Sequence, residues 1–461
     1  MASGLSLPNR TDDWDLPVAH RVIVGPGTSK EAGAMLAQDI SLNPSEWIPK
    51  VVDRYSPLIV DHAQGMYIWD TRGDRYLDFT SGIAVTNTGH CHPRVVKAIQ
   101  EQAAKIIHAQ QNIFAHESMM RAAAELTATL PDNLNQVYWA NGGTEAVEAA
   151  LKLAKAATKR PAIIAFRQGF HGRTYGSMSV TSSRSKIRGH YEPLVGSIYF
   201  APYPYLYRNP YNVPQEDADL AYFAQLEYLF DTLVLPDDVA AILMESMIGE
   251  GGYLVPTARW VQKVRELCDR HGILLIMDEI QSGAGRTGTM WCFEHYGVVP
   301  DIMTTAKGLG SGMPVSAMVS SREIMDNWAP GAHGSTYGGN AVATAAVVAT
   351  LEVIHDEHLV ENAAKMGKLL FDGLLAIQRD YPVIGDVRGL GLMVAAEFVH
   401  SDKSPNSEAV EKVIHSCFQN KVLLISCGTY DEAIRIIPPL IVNQDQIREF
   451  LELFRAAVSG L

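Results

Sequence analysis

The chain has 461 residues, more than one hydrophobic core usually holds, so one large domain and at least one smaller one are expected. Its 38 basic and 51 acidic residues give a formal charge of −13 without clustering, which argues against nucleic acid or an anionic membrane as partner. No apolar run is long enough to span a bilayer, and residues 1–8 have neither the basic nor the apolar part of a secretory signal.

The five cysteines, Cys91, Cys268, Cys292, Cys417 and Cys427, are scattered and lack CxxC spacing. They point to a reducing, cytoplasmic setting with no disulfide framework and no zinc site. Residues 1 to about 45 read as a polar arm with a short helix over 29–39. Residues 59–79 mix apolar and polar positions around Gly65 and Arg72-Gly73-Asp74, the pattern of a small β-meander. Helical periodicity follows over 93–108, with Pro93 at the first position. From about 115 to 320, strands over 136–139, 162–166, 198–201, 240–247, 273–277 and 302–305 alternate with helices such as 144–158 and 257–271. That spacing predicts an α/β fold with a mostly parallel sheet covered on both faces. An Ala/Val-rich helix from 341 leads to an α+β segment with strands over 391–398, 422–426 and 433–437 and a last helix over 444–459. The predicted domains are 1–95, 96–345 and 346–461, the first and last together forming the smaller domain.

In parallel sheets chemistry collects at the carboxyl ends of the strands. Two charged residues fall there. Asp278 ends the apolar run Ile273-Leu274-Leu275-Ile276-Met277, and Lys307 ends Ile302-Met303-Thr304-Thr305-Ala306. Burial disfavours the charged form of a lysine, and a fixed neutral amine is what Schiff-base chemistry needs. A carboxylate for the pyridinium nitrogen is the second requirement of a pyridoxal phosphate (PLP) enzyme. Gly142-Gly143-Thr144 lies between a strand and an Ala-rich helix, where it is either an anion site or an ordinary cap. Phe170 could stack on a planar ring and Arg173 could clamp a carboxylate, or they are a core ring and a surface cation. Gln281 could bond a phenolate oxygen, and the glycine-rich stretch 283–288 could be only a flexible loop. Glu245 and Glu250 follow a strand and read equally as loop acids. Arg435, inside an apolar strand, is a solvated-face residue or a carboxylate binder. His90-Cys91-His92 precedes Pro93 and reads as a loop before a helix, and Gly308-Leu309-Gly310-Ser311-Gly312 follows the lysine strand without opening a long helix, so it is not a dinucleotide site.

Together these segments resemble the class III (ω-) aminotransferases of PLP fold type I, most closely the 4-aminobutyrate and acetylornithine/ornithine branch. The resemblance rests on residues 78–90, 142–146, 170–174, 278–288, 304–309 and 334–340, in that order. It implies that Lys307 carries the cofactor and shuttles the proton, and that Asp278 pairs with the ring nitrogen. It further implies that Phe170 and Ile280 flank the ring, with His171, Glu245 and Gln281 beside it. Gly142, Gly143 and Thr144 would hold the phosphate, with Thr336 supplied by a neighbouring subunit, which makes a homodimer with shared sites, or a tetramer of such dimers, the expected assembly. Ile83, Arg173, Glu250 and Arg435 would meet the substrate: Arg173 a distal carboxylate, Arg435 an α-carboxylate, with Glu250 neutralising Arg435. The implied reaction moves an amino group from an ω-amine to 2-oxoglutarate or pyruvate. The alternative on the same scaffold is an amino-acid racemase or epimerase. Two departures stand out. Ser246 and Ile248 replace the family's usual proline and glutamine, and Ile248 makes that wall more apolar.

Overall fold

Three short strands come first, Val60–Gln64 (β1), Tyr67–Asp70 (β2) and Arg75–Asp78 (β3). The computed structural model describes residues 43–461, so the helix expected over 29–39 lies outside the described residues. These divide into two compact units, residues 43–62 with 69–74 and residues 63–68 with 75–461. In the small unit, Asn43 caps the helix Pro44–Trp47 by accepting the Ser45 N–H at 3.1 Å. Its tight turn is held by Asp70, whose Oδ1 accepts the backbone N–H groups of Arg72 at 3.0 Å and Asp74 at 2.9 Å.

The large unit is built on a seven-stranded sheet. In chain order its strands are Gln136–Ala140 (β4), Ala162–Phe166 (β5), Ile198–Ala201 (β6), Val239–Glu245 (β7), Leu274–Asp278 (β8), Ile302–Thr305 (β9) and Ser316–Ser320 (β10). Across the sheet they run β4-β10-β9-β8-β7-β5-β6, and only β10 is antiparallel to its neighbours. Every residue of β5, β7 and β9 is buried; β5 is wholly apolar and β7 is so up to Glu245, while β9 buries Thr304 and Thr305 as well. The helix Gly143–Thr158 turns Ala146, Val147, Ala150 and Leu153 inward, and its alanines let it lie close to the strands. Each large side chain so buried, Ile164, Ile242 or Leu275 for example, contributes about 1.5–3 kcal/mol.

Strand β10 is absent from the sequence reading. Its run Ser-Ala-Met-Val-Ser is short, rich in small residues and buried on both faces, so it shows neither alternation nor a long apolar run. A second, antiparallel sheet has the order β11-β12-β15-β14, from Ile384–Leu390 (β11), Met393–Phe398 (β12), Ile425–Cys427 (β14) and Ala433–Ile436 (β15). The single strand expected over 422–426 is split. Val422–Leu423 (β13) pairs in parallel with β3, and β14 joins β15. Strand β11 was also missed, because two glycines interrupt its pattern. The helix Leu359–Asp380 buries Leu359, Ala363, Met366, Leu370, Leu374 and Ile377, a three-to-four residue period that faces this sheet's core. Residues 282–287 are buried too, so the glycine-rich stretch is a packed turn and not a flexible loop. Its Arg286, 0% exposed, donates to Leu392 O at 3.2 Å and to Asn87 Oδ1 at 2.7 Å. No helix among the described residues is long and apolar enough to cross a membrane.

Candidate active site

Strand register brings the first residues together. Glu245 on β7 pairs with Asp278 on β8, and Asp278 with Thr304 on β9, so the acids stand side by side at the carboxyl edge of the sheet. Asp278 is 3% exposed, and desolvation of an unpartnered carboxylate there would be costly. It is compensated three ways. Oδ2 lies 2.7 Å from His171 Nδ1, and Oδ1 accepts the Thr304 hydroxyl and the Ile280 N–H, both at 3.1 Å. The carboxylate of Glu245 holds the neighbouring loops. Its oxygens accept the N–H groups of Phe170 and Gly249, each at 2.8 Å, and so tie together the loops that follow β5 and β7. Burial pushes the Glu245 carboxyl up to about 7, with the Asp278 charge adding to the shift. Beside them, Glu279 accepts Ser246 Oγ at 2.5 Å, Ser282 Oγ at 3.0 Å and the Cys292 and Phe293 N–H groups at 2.9 Å. That is what the serine at position 246 does: it donates to a buried acid, which a proline could not.

Lys307 begins the short 3₁₀ turn Lys307–Leu309 after β9, half-buried, with φ at +45°, a conformation uncommon for a residue with a side chain. Gly308 follows because a Cβ there would collide with Asn87. Burial, helped by the Arg435 guanidinium and opposed by Glu245, Asp278 and Glu250, lowers the Lys307 amine to about 8. Ile83 sits in a similarly unusual turn, with φ at +67°.

At the other end of the site, Glu145 takes the N–H groups of Asn141 at 2.9 Å and Gly142 at 2.7 Å. The N–H groups of Gly143 and Thr144 are left to face outward from the first turn of a sixteen-residue helix, a ready anion site. Ile280 packs on Gly143, where a Cβ would come within 2.9 Å of its Cδ1. The Thr144 hydroxyl is bonded to Thr174 Oγ1 at 2.8 Å and Ser177 Oγ at 2.5 Å, and Gly172, at φ +131°, leaves room for this cluster. Phe170 is half-buried, with the exposed Arg173 guanidinium 5.0 Å above its ring. Arg435 is 0% exposed on β15, its Nη1 2.9 Å from Glu250 Oε2 and its Nε donating to Ser426 O at 2.9 Å. Thr336 is exposed, in the loop that Asn141 Nδ2 reaches through Ser335 Oγ at 3.3 Å. His90 and His92, read as loop residues, each face a carboxylate, Asp78 at 2.8 Å and Glu357 at 3.0 Å, and His92 caps the helix Pro93–Lys105.

Sequence reasoning missed the His171–Asp278 pair as such, along with Glu279, Arg184 and Asp431. Each depends on a contact between segments distant in the chain. The fit of a cofactor follows from groups left incomplete: His171 Nε2 and Gln281 Oε1 are buried with no hydrogen-bond partner, and an anion cradle faces the same strand edge as an amine of lowered basicity. A planar, anionic aldehyde with polar ring substituents suits that set, and pyridoxal phosphate has those features.

Residues 50–458 match the family Aminotransferase class-III. The chain is 39% identical over 412 residues to the 4-aminobutyrate aminotransferase of Escherichia coli (strain K12), spanning 89% of this chain and 95% of that protein. It is 35% identical over 407 residues to an alanine/serine racemase of Pyrococcus horikoshii, 87% of this chain and 86% of that one. A solved structure of an amine transaminase from an uncultivated Pseudomonas species, in its PLP-bound form, is similar with a TM-score of 0.83 at 30% identity, over 96% of this chain and 99% of that one. The fold is PLP fold type I and the enzyme a PLP-dependent transaminase. More narrowly, the chain belongs to the class III aminotransferases.

Proposed function

We propose that the enzyme moves an amino group from an ω-amino acid or primary amine, 4-aminobutyrate-like, to a 2-oxo acid such as 2-oxoglutarate or pyruvate. The observation that carries this reading is the pair Arg435–Glu250, 2.9 Å apart, with Arg435 fully buried beside Lys307. An enzyme that meets one substrate without an α-carboxylate and one with it needs an arginine that is neutralised in the first case and free in the second. Glu250 supplies that neutralisation. When bound, PLP supplies an electrophilic carbonyl and a ring that delocalises the electron pair left by a departing proton.

The chain's own residues do the rest. Lys307 moves the proton at the substrate Cα. Asp278, steadied by His171, holds the proton at the ring nitrogen. Gly142, Gly143 and Thr144 bind the phosphate, Phe170 and Ile280 orient the ring, Gln281 meets its oxygen, and Glu245 fixes the loops that carry Phe170 and Gly249. Arg173 swings from Phe170 to a distal carboxylate and Ile83 gives the amine an apolar wall, while Ile248, 1% exposed, packs in the core behind it. Thr336, exposed on its loop, serves the neighbouring subunit's phosphate, so we propose a homodimer, alone or paired into a tetramer, in a cytoplasmic setting. The proposed divisions within the chain are at 95 and 345.

A racemase is the second reading, favoured by the resemblance to the Pyrococcus protein. One half-reaction separates the two. Holoenzyme in deuterated buffer is mixed with 4-aminobutyrate or with L-α-amino acids, with no oxo acid present. Stoichiometric pyridoxamine phosphate from the ω-amine is the expected result. Unchanged cofactor, with an α-amino acid that gains deuterium at Cα and loses its chirality, would replace the transaminase by the racemase.

The lowered amine predicts a pH signature. Below about 8 Lys307 is protonated and cannot attack the cofactor aldehyde. Capture of PLP by cofactor-free protein, followed by stopped-flow absorbance, should speed up about tenfold per pH unit up to that point and then level off. An ordinary lysine would keep accelerating toward 10.5. Between 8 and 10.5 the unfolded chain still binds a proton that the folded one has released, so this group makes the cofactor-free protein more stable as pH rises through that window.

A further inference from the structure

Glu250 does not face one arginine but two. Its Oε2 lies 2.9 Å from Arg435 Nη1, and its Oε1 lies 3.7 Å from Arg184 Nε. Arg184 comes from a different part of the chain and is 7% exposed. It is aimed by Asp431, whose two oxygens take Arg184 Nη1 at 2.7 Å and Nη2 at 2.8 Å in a bidentate fork. Asp431 is fixed in turn by Ser426 Oγ at 2.7 Å, and Ser426 O accepts Arg435 Nε at 2.9 Å. The Glu250 carbonyl accepts the Gly428 N–H at 3.0 Å, which moors its loop to the same β14–β15 turn. Two arginines, two acids and Ser426 therefore form a closed ring in which Glu250 has one short contact, to Arg435, and one longer one, to Arg184.

A carboxylate 17% exposed is costly to strand. If an incoming α-carboxylate takes Arg435, Glu250 must leave it and needs another cation within reach. We infer that Arg184 is the second seat of a two-position switch: Glu250 rests on Arg435 while the substrate has no α-carboxylate, and on Arg184 when a 2-oxo acid claims Arg435. This rests on the amino-transfer reading above and makes Arg184 a positioning residue that acts through Glu250. Without it Glu250 stays longer on Arg435 and competes with the acceptor, while the amine half-reaction, which uses the resting pair, is spared.

The test is steady-state kinetics of the holoenzyme with 4-aminobutyrate and 2-oxoglutarate. Arg184→Gln is combined with Asp431→Asn, so that neither charge is left alone, and Arg184→Lys serves as a milder variant. The ratio of the 2-oxoglutarate KM to the 4-aminobutyrate KM should rise about tenfold in the first, within the range for coupled contacting residues, and less in the second. In a Glu250→Gln background the same changes should move the ratio less than about twofold, because nothing is left to reposition. A flat ratio in folded variants overturns the inference. So does an equal rise in the Glu250→Gln background, which would mean that Arg184 only supports the β14–β15 turn. If the neutral pair loses the cofactor absorbance of the wild type, the lysine variant decides by the same two criteria. A wild type that transfers no amino group from any ω-amine to either 2-oxoglutarate or pyruvate fails the proposed function and this inference with it, whereas transfer with a flat ratio fails the inference alone.

Discussion

Replacing Lys307 by alanine should leave a folded protein that has lost amino transfer by roughly four orders of magnitude or more. Proton transfer by a positioned side chain is worth about 100- to 10,000-fold, and Lys307 is also the proposed covalent anchor. The fold should survive, because Lys307 is half-buried in a short turn and contributes no packed apolar surface. Removing an amine that burial already lowers to about 8 also relieves a desolvation cost. The measurement is the initial rate with 4-aminobutyrate and 2-oxoglutarate beside the thermal midpoint of the cofactor-free protein. An unchanged or raised midpoint with lost turnover is the expected pair. Turnover above one per cent of wild type would mean that another group takes the proton.

The second large effect belongs to Asp278. Asp278→Asn keeps the shape and retains an oxygen for His171 Nδ1, now at 2.7 Å from the carboxylate, but removes the charge. Leaving one member of a buried charge pair uncompensated costs about 3–5 kcal/mol, which corresponds to a rate loss of roughly 100- to 10,000-fold. PLP should still be captured, since the amine and the phosphate cradle are untouched. A variant that binds cofactor normally and turns over at more than a tenth of the wild-type rate would show that the ring nitrogen does not depend on this carboxylate.

Both residues are legible in the sequence for one reason: each places a charge at the end of a largely apolar strand, and an interior charge needs a compensating use. The parallel sheet is legible on the same ground, since β5 and the body of β7 have no polar face to show to water. What could not be read were pairings that exist only across the fold. His171 looked like part of a loop motif, and only the register of β8 beside the loop after β5 brings it to Asp278. Arg184 and Asp431 lie 247 positions apart, and neither has a local pattern that separates it from a surface charge. Strand β10 is hidden by its small residues, although it shapes the site as much as any side chain does.

That strand is a spacer. It runs against its neighbours between β4, which leads into Gly142-Gly143-Thr144, and β9, which leads into Lys307. Strands stand about 4.8 Å apart, so the anion cradle and the amine are separated by two steps, roughly 10 Å. Because β10 is reversed, it enters the sheet at this edge: its first residue, Ser316, pairs with Ala140 and its side chain ties down Gly142 O at 2.8 Å. The reach from cradle to amine is therefore a count of strands, which no point substitution alters. Arg173 and Glu250, proposed above to meet the substrate, lie on loops outside these strands, so a substitution there leaves the ruler the same length.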